Sequence, residues 1–381
     1  MAPTNTVSWS DLPFDLVGGV ADRITGHADF ARFRSVCPSW RSASAVHAAR
    51  RRVPLLLVPT AGSWSLADGS ISQTPMPTSR SLPFRFASLS FRFATPRGWA
   101  LSVTIDFAAT LQNPFTGASE SLPALPSPFR VYRSTLQNML WDRSPDAVMV
   151  SPGPGKGAYF CRLPAPDGGS WSPVAGCSQA ADTSSITYCD GTFYLLDGRS
   201  RRVMAVDGTT FAVAYVIEPP DMVAPSPTRS WRTPETTLVA SSGELLLMVR
   251  SHLLFKAGCR DDSESEGLFK AFRADSRSPA AGWSEIAGGD IGDRAVFVDH
   301  LRGFCVEANG VNGVRRNCMY VASTNCLVDD ECGMDVLYGV YSVSVLDLAD
   351  LTTQNLSHGN LMNCRYGRHL QWPTWFMPNL H

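Results

Sequence analysis

Long apolar runs are missing from this chain. The longest aliphatic stretches, Leu55 to Val58 and Leu245 to Val249, are strand-sized and far short of the ~20 residues that a membrane-crossing helix needs. No basic region followed by an apolar core opens the sequence, so no secretory leader is expected. Charge is scarce too: 18% of the 381 residues are charged and the net charge is −1. That balance gives no electrostatic warrant for nucleic acid or an anionic membrane as a partner. The ten cysteines are scattered from Cys37 to Cys364, and the closest set, Cys318, Cys326 and Cys332, holds no C-x-x-C pair. Structural zinc sites want tighter ligand pairs. Reduced, mostly buried thiols are expected, not a disulfide framework.

Catalytic signatures are equally thin. Gly153-Pro-Gly-Lys-Gly157 looks superficially like a phosphate loop, but Lys156 is followed by Gly-Ala-Tyr-Phe, a strand pattern. A phosphate loop needs Gly-Lys-Ser/Thr opening a helix, so a hairpin loop is expected instead. No Gly-x-Ser-x-Gly elbow or His-Glu-x-x-His pair occurs, and the seven histidines show no metal-like spacing. The expectation is a chain without metal, cofactor or catalysis of its own.

What the sequence does hold is core-forming material: 44% hydrophobic residues, with 19 Phe and 10 Trp. Residues 11 to 41 are the densest stretch. Leu16, Val20 and Ile24 recur every four positions and stripe one helix face. Pro13 suits the first turn of that helix, where its missing N–H costs nothing. Asp29 is placed to cap a second helix carrying Phe30 and Phe33, and Pro38 to open a third with Trp40, Ala43 and His47 along one side. Three such short helices bury too little surface to stand alone, so they read as half of an interface.

The pattern resembles an F-box, the adaptor-binding module of SCF-type (Skp–cullin–F-box) ubiquitin ligases. The matching residues are Leu12, Pro13, Asp15, Leu16, Val20, Ile24, Asp29, Phe33, Arg34, Val36, Cys37, Trp40 and Arg41. The resemblance implies a Skp-type adaptor, and through it cullin, docked on Leu12, Pro13, Leu16, Val20, Ile24, Phe30, Phe33, Val36, Cys37 and Trp40. The departure is Gly18-Gly19, since each glycine costs ~1 kcal/mol against Ala in a helix interior.

The mode changes near Arg50 to Pro54. Beyond it, short apolar runs are broken by Gly, Pro, Asp and Ser, with turn signals at Asp190-Gly191, Asp197-Gly198, Asp207-Gly208 and Ser242-Gly243. A weak repeat is present. Ala158 to Leu163 runs through a turn to Trp171-Ser-Pro-Val, and Leu268 to Arg273 runs likewise to Trp283-Ser-Glu-Ile. Each pair reads as the two outer strands of a propeller blade, so the expected fold is an N-terminal all-α module of three helices (8–50) followed by a mainly-β propeller of about six or seven blades (53–381). Closure should bring the tail around Trp372, Trp375 and Phe376 to the strand beginning at Leu55.

The same region resembles a plant family in which an F-box precedes a KIB-type β-propeller. The resemblance rests on Trp64 to Gly69, Gly98-Trp99, Leu111 to Gly117 with Leu122-Pro123, Leu238 to Arg250, Trp283 to Ile286, Gly292 to Val298, Asn317 to Tyr320 and Trp372 to Pro378. It implies a non-catalytic substrate receptor working in the cytoplasm or nucleus, whose propeller holds an unknown client protein. A regulatory scaffold and a propeller-fold hydrolase are the alternatives. The Pro-rich segment from Pro219 to Pro234 carries Arg229, Trp231 and Arg232, residue types favoured at interface hot spots, and is the candidate client-binding loop. The alternative there is that Trp231 packs back onto a blade rim.

Overall fold

The computed structural model describes residues 9–50, 53–58, 62–67, 69–72, 91–94, 97–104, 106–129, 139–153, 155–164, 169–177, 182–221, 235–250, 269–274, 282–299, 302–328, 337–356, 363–366 and 373–378. Four short helices open it, not three: α1 (Phe14–Arg23), α2 (His27–Ser35), α3 (Pro38–Ala43) and α4 (Ala45–Arg50). Pro13 stands just before α1, and its carbonyl accepts the N–H groups of Leu16 and Val17. The second helix starts before the expected cap. Gly26 occupies the cap position with extended backbone, and Asp29 lies in the first turn, paired to Arg32 at 2.7 Å. Pro38 does open α3.

The break between α3 and α4 falls at Ser44. The Ser44 hydroxyl donates to the Trp40 carbonyl at 2.7 Å and accepts from Arg34 Nη1 at 3.1 Å. Arg34, only 3% exposed, also donates to the Arg41 carbonyl. A guanidinium turned onto helix-end carbonyls is how this corner satisfies its orphan acceptors. His47 therefore belongs to a separate helix from Trp40.

Among the described residues after the helices, the regular structure is sheet apart from two single 3₁₀ turns, Ser127–Phe129 and Ala287–Gly289. The first sheet joins Leu55–Val58, Gly62–Ser65 and Ile71–Ser72 to Thr374–Phe376, the last strand of the chain. The second holds Phe91–Ala94, Ala100–Val103, Ala109–Gln112 and Ser119–Leu122; the third, Leu140–Arg143, Ala147–Ser151, Tyr159–Arg162 and Ser172–Pro173. The fourth runs from Thr183–Cys189 to Val213–Ile217. A ten-stranded sheet follows, in two halves. Glu235–Ser241, Glu244–Arg250, Phe269–Ala274 and Trp283–Glu285 form one, and the strands from Arg294–Val298 to Asn363–Tyr366 form the other. A short parallel pairing, Val239 with Gly303 and Ala240 with Phe304, joins them. A Cβ on Gly303 would lie 2.7 Å from a Val239 methyl, so this approach requires glycine.

The sheets pack in a circle. Leu111 of the second sheet shares a core with Trp141 and Val150 of the third, and Met149 of the third with Phe193 of the fourth. Leu196 then meets Leu238 and Leu247, and Val239 and Leu246 meet Val296 and Met319. Phe297 and Tyr320 finally pack on Leu56, Trp64 and Trp375 of the first sheet. Each sheet in such a ring is covered on both faces, which explains why Ala147–Ser151 is buried along its whole length and apolar almost throughout.

Several expectations are met in detail. Tyr159–Arg162 pairs with Ser172–Pro173, and Phe269–Ala274 with Trp283–Glu285, as the last two strands of their sheets. Asp190-Gly191 and Ser242-Gly243 close two-residue hairpins with all four residues at positive φ. Gly153, Gly155 and Gly157 lie in the turn between the antiparallel strands Ala147–Ser151 and Tyr159–Arg162, as in a hairpin loop.

Candidate functional site

The inner face of α1 is carried by Val17 and Ala21, 2% and 0% exposed. They pack with Phe30, Phe33, Ala48, Leu55, Phe115 and Phe376 in one core. Leu55 and Phe376 are strand residues of the first sheet and Phe115 sits in a turn of the second. The helices are thus seated on the ring through a shared apolar core.

A neighbouring face of α1, about 100° round the helix, is apolar and open. Leu16 and Val20 are 54% and 45% exposed, and being four apart they share one side of the helix. Phe14, Val36, Val46 and Trp9 are exposed as well, so six of the eight exposed large hydrophobics among the described residues belong to the helical segment. Apolar surface gathered in one short segment is the mark of an interaction site. The entry turn is pinned beneath it. Trp40 Nε1 donates to the Trp9 carbonyl at 2.9 Å, and the Ser39 hydroxyl donates to the Ser10 carbonyl at 3.1 Å.

The ten residues expected to bind the adaptor divide into three groups. Pro13, Leu16, Val20 and Val36 are exposed and can touch a partner. Leu12, Ile24 and Trp40 are half-buried and pack against the helical core; Trp40 meets the Phe33 ring at 4.7 Å. Phe30 and Phe33 are buried, which places them beneath the surface as its support. Cys37 is half-buried just before α3, with its sulfur 3.1 Å from the Ser39 hydroxyl. The Ser39 hydroxyl, then the N–H of Trp40, hold its thiol below the ordinary cysteine range. Phe14, Trp9 and Val46 were not singled out by sequence. Helical spacing would not have found Phe14: it is three residues before Val17 and shares its side of the helix, yet it stands exposed at the first position of α1.

Arg229, Trp231 and Arg232 lie outside the described residues; of their segment only Pro219 to Asp221 is described. Among the described residues no group of three or more His, Cys, Asp or Glu is placed to hold a metal ion.

Comparison with known proteins bears on the ring and the helices differently. A family described as KIB1-4 beta-propeller matches residues 64–342. Two Arabidopsis thaliana chains that carry provisional F-box names are similar. One is 23% identical over 364 residues, spanning 84% of this chain and 88% of its own. The other is 32% identical over 124 residues, spanning 32% and 31%. Among solved structures, a chain of a nidogen/laminin complex is 9% identical over 86% of this chain and 98% of its own, with a TM-score of 0.38. The structure titled YjhT is 13% identical over 59% and 67%, with a TM-score of 0.29. At those scores neither bears on the architecture.

Proposed function

The chain belongs to the KIB1-4 beta-propeller family, and from that premise we propose that it is the substrate receptor of an SCF-type ubiquitin ligase. Its helical segment docks a Skp-type adaptor and, through it, cullin; its propeller holds a client protein. The propeller has six blades in this reading: the first four sheets and the two halves of the ten-stranded one. The domain division falls at Arg50 to Val53, with the helices on one side and residues 53–381 on the other.

The observation that carries the proposal is the two-faced first helix. Val17 and Ala21 lock it to the ring while Leu16 and Val20 are left in solvent. Exposed aliphatic surface on a helix already seated in a core costs solvation and contributes nothing to the isolated fold. A partner that covers it removes that cost. The F-box names of relatives spanning up to 84% of the chain support an adaptor as that partner.

The chain performs no chemistry itself in this mechanism and needs no cofactor. It raises the effective concentration of a client lysine near the charged ubiquitin-conjugating enzyme. The shared core of helices and ring suits that task, because a rigid seat holds adaptor and client at a fixed separation. Cytoplasm or nucleus is the proposed place of action; among the described residues no helix is long and apolar enough to cross a membrane. Co-purification of the full chain with a Skp-type adaptor and cullin, together with client half-lives with and without proteasome inhibition, tests this reading. Adaptor binding with unchanged client half-lives would instead favour a regulatory scaffold.

A further inference from the structure

A cleft of about 410 Å³ opens at the junction of the first sheet with the second half of the ten-stranded one. Its volume falls in the range of sites that take a small organic group. The floor is apolar: Trp64 and Leu66 from the first sheet and its turn, Tyr320 and Leu356 from the other side.

That floor is fixed by the packing behind it. Trp64, 3% exposed, meets the Trp375 ring edge-on at 6.4 Å between centroids, and Leu66 and Leu356 pack on the same core. The Tyr320 hydroxyl accepts the backbone N–H of Arg315 at 2.7 Å and donates to the Gly313 carbonyl at 3.2 Å. Both bonds hold the phenol ring in the wall. Gly313, at φ +78°, brings its loop onto the first sheet, and an added Cβ there would stand 3.0 Å from the Leu66 carbonyl. Only glycine allows this approach.

The rim has a different character. Ala67, Arg315 and Gln354 are exposed, and Gln354 belongs to Thr353–Asn355, the outermost strand at its end of the sheet. Arg315 is the one charged residue lining the cleft, and no acid lines it. Among the described residues no carboxylate makes an ion pair with the Arg315 guanidinium.

We propose that this cleft holds one aromatic or leucine side chain of an extended client peptide, with a neighbouring acidic residue of the peptide facing Arg315. The apolar floor gains by burying such a side chain. The open, exposed rim lets the rest of the peptide pass over the cleft in solvent. The positive rim favours an acidic neighbour over a basic one, and rim charges of this kind set specificity more than affinity. Naming the occupant as a client rests on the receptor reading above; the cleft is tested without adaptor, so that the two can fail separately.

The test is ligand-detected NMR and calorimetry on the full chain, with the end-blocked peptide Gly-Gly-Phe-Asp-Gly-Gly as probe. Replacing Phe by Ser in the probe is expected to weaken binding at least tenfold, the effect of losing a buried aromatic group. Replacing Asp by Lys should weaken it about threefold or more, as for an exposed ion pair turned repulsive. Arg315→Glu should reverse that preference and favour the Lys peptide, which loss of a merely structural contact would not do. Gln354→Trp puts bulk over the cleft and should weaken both peptides. Both positions are exposed, so the melting midpoints should stay near that of the parent, and either variant suffices if the other fails to fold. The proposal is overturned if the probe does not bind, if the Ser peptide binds equally, or if the folded variants keep the parent's affinity and preference. Phenylacetate binding as tightly as the peptide would also overturn it, making the cleft a small-molecule site. Probe binding by a chain that captures no adaptor would keep the cleft and remove the receptor reading.

Discussion

Leu55 pairs with Phe376 across an antiparallel ladder, bonding the first strand after the helices to the last strand of the chain. Both side chains are buried, at 3% and 0% exposure, and both pack in the core that seats α1 and α2. Closure of the ring and docking of the helices are therefore one packing arrangement. Trp375, the neighbouring residue, ties the same strand to the far side of the closure. Its Nε1 donates to the Val298 carbonyl and its backbone N–H to Asp299, both at 3.1 Å.

Phe376→Ala is expected to cost about 3–5 kcal/mol, as large-to-small changes at buried aromatics do. Because the ring contacts Phe115 at 5.7 Å between centroids, the loss falls on helices and sheets together. Far-UV circular dichroism and tryptophan fluorescence should report one shared transition at a lower midpoint. Truncation before residue 370 should go further, opening the ring and exposing strand edges to aggregation. A truncated chain that melts like the intact one would remove the closing role of this strand.

Much of this architecture was legible in the sequence, and the gaps have physical causes. Ala147–Ser151 could be read as a strand because both its faces are covered, leaving a nearly continuous apolar run. Two-residue turns announced themselves through Asp-Gly and Ser-Gly. Ser119–Leu122, by contrast, is an outer strand, polar at all but its last residue and exposed at Ser119 and Ser121, and offers no apolar alternation. Leu140–Arg143 escaped notice because it carries Asp142, a charge that is nonetheless buried. The parallel pairing of Arg294–Val298 with Cys318–Val328 depends on a crossover that no local pattern encodes. In α1, two stripes share the four-residue period: Leu16 with Val20, and Val17 with Ala21. Periodicity finds an apolar helix but cannot say which stripe is inward; the tertiary core took the smaller pair.

Gly19 has nothing within 4 Å of an added Cβ, and a Cβ at Gly18 would meet His47 Nε2 at 3.5 Å, an ordinary contact. Neither glycine is needed for close packing within the chain. Gly19→Ala should stabilise α1 by up to ~1 kcal/mol, seen as slower hydrogen exchange of the helix amides. Should adaptor affinity fall while the helix is strengthened, the partner's backbone must approach at that position.

Acid should weaken the fourth sheet through Asp197. Burial pushes this carboxyl up, but the N–H and hydroxyl of Ser200, with the N–H groups of Asp182 and Arg199, outweigh burial and leave it below its ordinary value. A pKa lower in the folded than the unfolded chain gives stability that is complete above the unfolded value, about 4. That stability is lost as pH falls through the folded value. Urea midpoints should therefore drop below about pH 4. Asp197→Asn should be less stable near neutrality and show a flatter decline in that acid window. An equal slope in both proteins would place the acid sensitivity elsewhere.

Leu16 and Val20 supply the test that separates surface from scaffold. Both are about half exposed and lie outside the core that holds Val17 and Ala21, so replacing them should change stability by no more than about 0.5 kcal/mol. Leu16→Glu with Val20→Lys keeps the net charge and places an i,i+4 pair in the favourable order on the helix. The melting midpoint should stay within a degree or two of the parent. Adaptor capture should nevertheless be lost, since the charges would have to be stripped of water to enter an apolar interface. Val17→Glu is the contrasting variant: buried at 2% exposure, it should lower the midpoint and lose the adaptor together. If the surface pair retains full adaptor binding at an unchanged midpoint, the exposed face of α1 is not the docking surface.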